Sequence, residues 1–376
     1  MNKPLFDLDI PGMQAEVNSY QPGTGLVWPT LFPLKYTPKF DLKGIEGNEG
    51  IPISADRVAF NTKAPLKTRK KVGTWSGTLS KISISKEKNE IEIAEYGDLK
   101  AIAAANTEDK ATARYLVDMV YDDVKAVNDG TDYKVEIDAN RIGSAGVQTF
   151  PASIEGEMAT EDQINFNVPE ENFTGVAAKW SDTENADGIE DIRKMQRAIV
   201  KKGLKKPMWA IIEQEKFEQL LQQKKTVRRV ASILANATGL ASTEVLSIEN
   251  INSYMRAKGY PQFLVIDTYA TIERKDGSQE TIKPWNVNVV TLAPIPQLGY
   301  TYFKPVKNVD NTAALQVQGK YAKTTVYSTV NPQTEVTMAE AYVQPGLINR
   351  ASLCFINTDN SVWGNGVSQT SEIEEG

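Results

Sequence analysis

The sequence of 376 residues carries a net charge of −6, no histidine and one cysteine, Cys354. The lack of histidine removes the commonest general base, the Ser-His and Cys-His nucleophile pairs and the commonest metal ligand. One cysteine permits no intrachain disulfide and no cysteine metal cluster, and the negative balance argues against a dedicated nucleic-acid binder.

The length suits one large domain or two ordinary ones. The opening MNKPLFDLDIPG has no apolar h-region, so no signal peptide is expected. Nowhere do 18 apolar residues run together, so no membrane span is expected. Cys354 is expected to be a buried small hydrophobe.

Residues 1–45 contain Pro4, Pro11, Pro22, Pro29, Pro33 and Pro38, which favour extended geometry. The same stretch holds Leu5, Phe6, Leu26, Val27, Trp28, Leu31, Phe32 and Tyr36, too apolar for a disordered tail. It is therefore an arm that needs a surface, either its own domain or a neighbouring subunit. Gly44, Gly47 and Gly50 form a joint. In residues 46–97, the stretches Trp75–Lys81 and Ile82–Ile93 alternate like strands of a long ribbon. The basic cluster Lys63, Lys67, Arg69, Lys70 and Lys71 belongs to that ribbon. Only Trp75 supplies a nearby aromatic, against a single-strand nucleic-acid platform. A solvated charged face or docking on an acidic surface are the alternatives.

Asn106–Gly130 reads as the one long helix, with Ala113, Leu116, Val117, Val120, Val124 and Val127 as its apolar stripe. Arg114, Asp118, Asp122 and Lys125 fall off the stripe. Asn128-Asp129-Gly130 is expected to stop it. The acids that could meet the basic ribbon include Asp118, Asp122, Asp123 and Glu136. Tyr133–Ile137, Val147–Phe150 and Gln163–Val168 then read as strands, and Gly143-Ser144-Ala145-Gly146 as a turn, since Walker spacing is absent.

From Trp180 onward helices alternate with short strands. Asp187–Gly203 is helical with Ile189, Ile192, Met195 and Ile199 inward. Met208–Ile212 is a buried strand, and Glu213–Gln223, Thr226–Thr238 and Ser247–Lys258 are further helices. Phe263–Ile272 and Asn286–Leu292 are strands around a hairpin turning at Asp276-Gly277. Tyr321–Val330, Glu335–Tyr342 and Ser352–Ile356 are the last strands.

No catalytic or cofactor motif emerges: no Walker loop, no dinucleotide fingerprint, no metal spacing. Asp118, Asp122 and Asp123 could bind a cation but suit a solvated helix face. Asp187, Glu190 and Asp191 suit a helix N-terminus. Trp180, Trp209 and Trp285 suit core or interface. No catalytic residue, cofactor or metal is expected.

Several stretches resemble the major capsid proteins of tailed bacteriophages, more closely the lambda-like major capsid protein family. They are the helix with its acidic continuation ending VQTF (147–150), Trp180-Ser181-Asp182 running into Asp187–Asp191, PQFLVIDTYATIERKDGSQETIKPWNVNVVTLAP with GYTYF (299–303), and NPQTEVTMAEAYVQPGLINRASLCFINT. The resemblance spans about residues 30–358.

It implies an α+β Johnson-type fold: N-arm (1–45), extended β-hairpin E-loop (46–97), P-domain with spine helix and antiparallel strands (98–179), compact α/β A-domain (180–320), a return to the P-domain (321–358) and a tail (359–376). It further implies hexamers and pentamers forming an icosahedral virion shell that encloses double-stranded DNA, without sequence-specific binding. A separate scaffold, portal and decoration proteins would be partners, with assembly in the bacterial cytoplasm and no membrane. Contacts between subunits would involve Trp28, Phe32, Lys63, Lys67, Arg69, Lys70, Lys71, Trp75, Asp118, Asp122 and Asp123. Covalent crosslinking is not expected, because nothing identifies a partner for Lys63, Lys67 or Lys70. An encapsulin-like nanocompartment shell, or a soluble enzyme using carboxylates, are the alternatives.

Overall fold

The fifteen residues after Gly130, 131–145, behave very differently from the expected turn-and-strand pattern. In the computed structural model the long helix runs unbroken from Lys110 to Ala145. The structure describes residues 4–6, 8–19, 25–45, 74–105, 110–149, 163–230, 246–274, 276–309 and 313–363.

In chain order the arm gives α1 (Ile10–Ser19), α2 (Trp28–Leu31), β1 (Leu34–Tyr36) and β2 (Asp41–Ile45). Next come β3 (Thr74–Thr78), β4 (Ser80–Lys88), α3 (Glu90–Ala105), α4 (Lys110–Ala145), β5 (Val147–Thr149), β6 (Gln163–Asn165) and β7 (Phe173–Thr174). The α/β part holds α5 (Gly188–Lys201), β8 (Trp209–Glu213), α6 (Gln214–Gln222), α7 (Ile248–Lys258), β9 (Gln262–Ile266) and β12 (Val289–Ala293). The hairpin β10 (Ala270–Glu273) and β11 (Gln279–Ile282) precedes β12. The chain closes with β13 (Gly299–Lys304), β14 (Leu315–Gln318), β15 (Ala322–Val330), β16 (Gln333–Leu347) and β17 (Cys354–Asn357).

Two features explain why α4 does not stop at Gly130. A Cβ there would lie 2.5 Å from the Ile84 Cδ1 of β4, so this glycine permits close packing rather than a turn. The polar residues that follow bond back onto the helix itself. Asn128 Nδ2 donates to Val124 O at 2.7 Å, Thr131 Oγ1 to Val127 O at 2.8 Å, and Ser144 Oγ to Asn140 O at 2.9 Å. Such local bonds satisfy side chains that would otherwise be buried without partners. Tyr133–Ile137 is thus helix, not strand, and Gly143–Ala145 is the last helical turn, ended by Gly146 at φ +71°. On the expected stripe Val120, Val124 and Val127 are buried, Leu116 is half-buried, and Val117 faces solvent.

The segments before α4 are likewise less extended than expected. Residues 90–93 open α3 rather than continue a strand. Asn89 Oδ1 accepts from Ile91 N and Glu92 N while Glu92 Oε2 accepts from Asn89 N, a reciprocal capping box. The ribbon is also paired differently. Its base joins β2 to β3, antiparallel, while β4 leaves it to pair with β16 in the body.

The larger sheet has the order β1-β13-β16-β15-β14, with β4 also against β16. β16 is its axis, and α4 packs across it. The second sheet has the order β7-β17-β12-β8-β9 and carries α5, α6 and α7. β13 and β14 therefore lie in the larger sheet although they precede residue 320, while β7 and β17 enter the second sheet from outside 180–320. The α/β helices match the sequence closely. Asp187 caps α5, Ser247 caps α7, and Gly259 closes α7 in the left-handed region at φ +69°. The Asp276-Gly277 turn joins β10 to β11, with Gly277 at φ +81°. Of the expected helix Thr226–Thr238, residues 224–230 are helical and Leu234 lies outside the described residues.

Three apolar clusters result. One lies between α4, the larger sheet and the arm, around Trp28, Phe32, Trp75, Ile142, Phe166 and Trp285. A second fills the α/β part around Trp180, Ile192, Ile199, Phe217, Met255 and Cys354. The third joins Phe6, Met13 and Val17 of the arm to Val120 and Val124 of α4.

Candidate assembly surfaces

Two carboxylates of the body hold the arm by its backbone. Glu136, fully buried on α4, accepts from Trp28 N at 2.7 Å and Val27 N at 3.0 Å through Oε2, and from Asn140 Nδ2 at 2.6 Å through Oε1. These bonds start the short helix α2, whose own first amides lack helical partners. Burial pushes the Glu136 carboxyl up, and the same hydrogen bonds pull it part of the way back.

Glu335 of β16 does the same near the start of the chain. Its Oε2 accepts from Leu5 N at 2.6 Å and Phe6 N at 3.0 Å. Beside it Lys88 Nζ lies 3.0 Å from Asp123 Oδ2 and 4.6 Å from the Phe6 ring centre. Desolvation raises the Glu335 carboxyl; the amides of Phe6 and Leu5 and the Lys88 charge oppose it, and Asp123 reinforces it.

The described arm is thus packed on its own chain. Trp28 and Phe32 are buried there, with Trp28 edge-on to Tyr321 at 5.9 Å. Trp75 is buried against Phe166 at 4.9 Å and Tyr302 at 6.2 Å. A Cβ on Gly346 would come within 2.8 Å of the Trp75 ring, so this glycine admits the indole. Trp28, Phe32 and Trp75, expected to touch neighbouring subunits, are buried within the single chain, where they fix the arm and the base of the β2–β3 pair. Lys63, Lys67, Arg69, Lys70 and Lys71 lie outside the described residues.

Asp118 and Asp122 are exposed on α4, as are Arg114 and Lys125. Asp123 is turned inward to Lys88. Among the described residues no group of three or more His, Cys, Asp or Glu is placed to hold a metal. The same region exposes Ile91 and Ile102 on α3 and Tyr115 and Val117 on α4, each more than half accessible. Sequence periodicity had assigned Val117 inward, and nothing in the alternating Ile91-Ile93 pattern marked an outward face.

Three carboxylates of the α/β part are engaged in caps, ion pairs or a ring N–H bond. Asp187 Oδ1 accepts from Glu190 N, and its other oxygen meets Arg229 at 2.6 Å. Asp191 accepts from Trp180 Nε1. Glu213 caps α6 and meets Lys283 at 2.7 Å. Cys354 is buried, and desolvation pushes its thiol far up, away from the reactive thiolate.

No protein-family model matches the sequence, and no curated protein matches it at a significant level. Solved structures do match in three dimensions. A protein assigned as the capsid protein of a prophage in Escherichia coli CFT073 aligns with a TM-score of 0.54 at 14% identity, over 93% of this chain and 99% of the other. A phage-related protein from Bordetella bronchiseptica RB50 aligns with a TM-score of 0.53 at 12% identity, over 94% of this chain and 98% of the other. The chain has the Johnson fold of phage capsid proteins.

Proposed function

We propose that the chain is the major capsid protein of a tailed bacteriophage, which assembles into hexamers and pentamers of an icosahedral shell around double-stranded DNA. The observation that carries this is the end-to-end likeness to the prophage protein assigned as a capsid protein, over 93% of this chain. The engagement of the α/β carboxylates with caps and ion pairs supports a structural rather than catalytic role. The virion is the place of action, with assembly in the host cytoplasm beside a scaffold, a portal and decoration proteins. The E-loop and the outer face of α3 and α4 are the surfaces that would meet neighbouring copies. There the exposed apolar residues Ile91, Ile102, Tyr115 and Val117 lie close to Asp118 and Asp122.

The test is assembly itself. The purified chain, with a scaffold where one is needed, should give closed particles or capsomers by negative-stain microscopy and light scattering. A protein that remains monomeric at high concentration under all such conditions would overturn the proposal.

A further inference from the structure

The net charge of −6 conceals a strongly basic ridge. From Arg193 to Lys206 the chain carries seven cations and no acid: Arg193, Lys194, Arg197, Lys201, Lys202, Lys205 and Lys206. Lys194, Arg197 and Lys201 are exposed along one side of α5, spaced three and four residues apart. Seven residues of helix rise about 10 Å, so these three charges form a short straight row.

Other elements extend that row. Gln196 Nε2 donates to Pro207 O at 2.7 Å and to Gly259 O at 3.3 Å, which ties α5 to the end of α7. Lys206 Nζ lies beside Gly259, and Arg256 and Lys258 in the last turn of α7 are exposed. The nearest acids are already engaged. Glu190 meets Arg193 and Arg229, Asp187 meets Arg229, and Glu171 meets Lys202 at 3.2 Å. Glu190 and Asp191, one turn before Lys194, lie within reach of its charge, while among the described residues Arg197, Lys201 and Lys206 make no ion pair.

Helix electrostatics explain only part of this. A cation at the last turn, such as Lys201, is favoured by the helix dipole, but Lys194 and Arg197 lie earlier. Arg193 with Arg197, and Arg197 with Lys201, are like-charge pairs four apart, which weaken a helix. A local rule broken on an otherwise well-capped helix points to function.

The surroundings identify the partner. The only large apolar residue exposed on this row is Val200, so a protein partner would find little to anchor it. Exposed aromatics that could stack bases of a single strand are absent among the described residues of the ridge. A rigid row of cations suits a polyanion of regular charge, and duplex DNA carries about one charge per 1.7 Å of axis.

We propose that the ridge of Lys194, Arg197 and Lys201, continued by Lys206, Arg256 and Lys258, holds the phosphate backbone of duplex DNA and therefore faces the inside of the shell. This rests on the shell reading and adds an orientation to the A-domain. The binding is independent of base sequence, because the row meets phosphates and not base edges.

The test uses the full chain below its assembly concentration and a short fluorescent duplex, followed by anisotropy against salt. The three α5 cations alone account for a fall in affinity of about 40-fold between about 50 and 200 mM salt, to which the remaining cations of the ridge add. The variant Lys194→Glu, Arg197→Glu, Lys201→Glu should flatten that dependence and weaken binding at low salt by about tenfold or more. The neutral variant Arg197→Gln, Lys201→Gln should lie between, and circular dichroism reports whether each is folded. As a competing source of DNA affinity, the ribbon cluster is reversed separately at Lys67, Arg69, Lys70 and Lys71. Binding lost only with the ribbon variant, or ridge variants within twofold of the parent, would overturn the proposal. Particles that form normally with such unaffected DNA binding leave the shell reading standing and remove the ridge. A chain that forms no particles yet binds duplex through the ridge does the reverse.

Discussion

Replacing Glu136 by alanine gives the sharpest test of how the arm is held. The substitution strips the acceptor from Val27 N, Trp28 N and Asn140 Nδ2, all at hydrogen-bonding distance of 2.6–3.0 Å. Three bonds to a charged acceptor contribute about 1.5–3 kcal/mol each, roughly 5–9 together. Against that stands the relief of no longer burying a carboxylate, which is worth several kcal/mol. The raised carboxyl indicates that this relief is substantial. The net loss is about 2–4 kcal/mol, confined largely to residues 25–32, since Glu136 bonds that segment and its own helix. Hydrogen exchange at Trp28 and its neighbours should accelerate by about 30- to 700-fold, at a factor of ten per 1.4 kcal/mol. Amides 10–17, held by the Phe6, Met13 and Val17 cluster, should change far less. Wild-type exchange rates at Val27 and Trp28 in Glu136→Ala would refute the clasp. Equal acceleration across the whole chain would show that Glu136 serves global stability instead.

Three further outcomes follow from the same structure. Glu335 has its folded carboxyl raised by burial, and its Oε1 is buried without a hydrogen-bond partner. Its stabilising contribution is therefore full below the unfolded carboxyl range and fades as pH rises through the raised value. Acidifying from about pH 7 to about 5 should tighten residues 5 and 6, not free them, in hydrogen exchange corrected for intrinsic rates. Faster exchange in acid that disappears in Glu335→Gln would contradict this. Gly143→Ala should destabilise by about 1–2 kcal/mol in chemical denaturation, although alanine favours a helix, because overpacking outweighs propensity. Its Cβ would sit 2.8 Å from Trp285 Cζ3 and 3.0 Å from Leu298 Cδ1; unchanged stability would mean that Trp285 moves freely. Reversing Lys67, Arg69, Lys70 and Lys71 to glutamate should block particle formation while circular dichroism stays that of the parent. Normal particles from that variant would remove charge docking of the E-loop.

Residues whose signals are local were legible in the sequence, and those whose signals depend on tertiary partners were not. Asp187, Ser247 and Gly259 announced their helices because capping is a matter of a few adjacent residues. The half of α4 after Val127 was obscured because Asn128, Gly130 and Thr131 ordinarily favour turns. Here Ile84 occupies the space left by Gly130, and burial makes back-bonding to the helix preferable to a turn. The start of α3 carried a visible box, Asn89 with Glu92, masked by the alternation Ile91-Ile93. In α1, Pro11 weighed toward an extended arm, yet proline at the first turn removes only a donor that has no helical partner. Glu136 was seen only as one more acid in a charged run. Its role as an acceptor for Trp28 requires two segments more than a hundred residues apart to meet, which no periodicity records.

If subunits assemble as proposed, the two clasps also change where that assembly draws its energy. Glu136 and Glu335 bind amides, which every residue but proline presents, so the grip depends on the path of the arm more than on its side chains. The apolar residues Phe6, Trp28 and Phe32 of the arm are buried within one chain, while Ile10, Tyr36 and Phe40 of the same arm stay exposed. Among the large apolar residues left exposed are Ile102 on α3 and Tyr115 and Val117 in the first turns of α4, the last two adjoining the exposed Asp118 and Asp122 in sequence. That surface mixes exposed apolar groups with both signs of charge, Asp118 and Asp122 beside Arg114 and Lys125, and suits a partner that brings apolar area and a complementary charge pattern. The sequence before Trp75 supplies five clustered cations, Lys63, Lys67, Arg69, Lys70 and Lys71, whose charge would suit Asp118 and Asp122. On this view the arm fixes the shape of each subunit, and the ribbon and the spine helix between them decide whether subunits join.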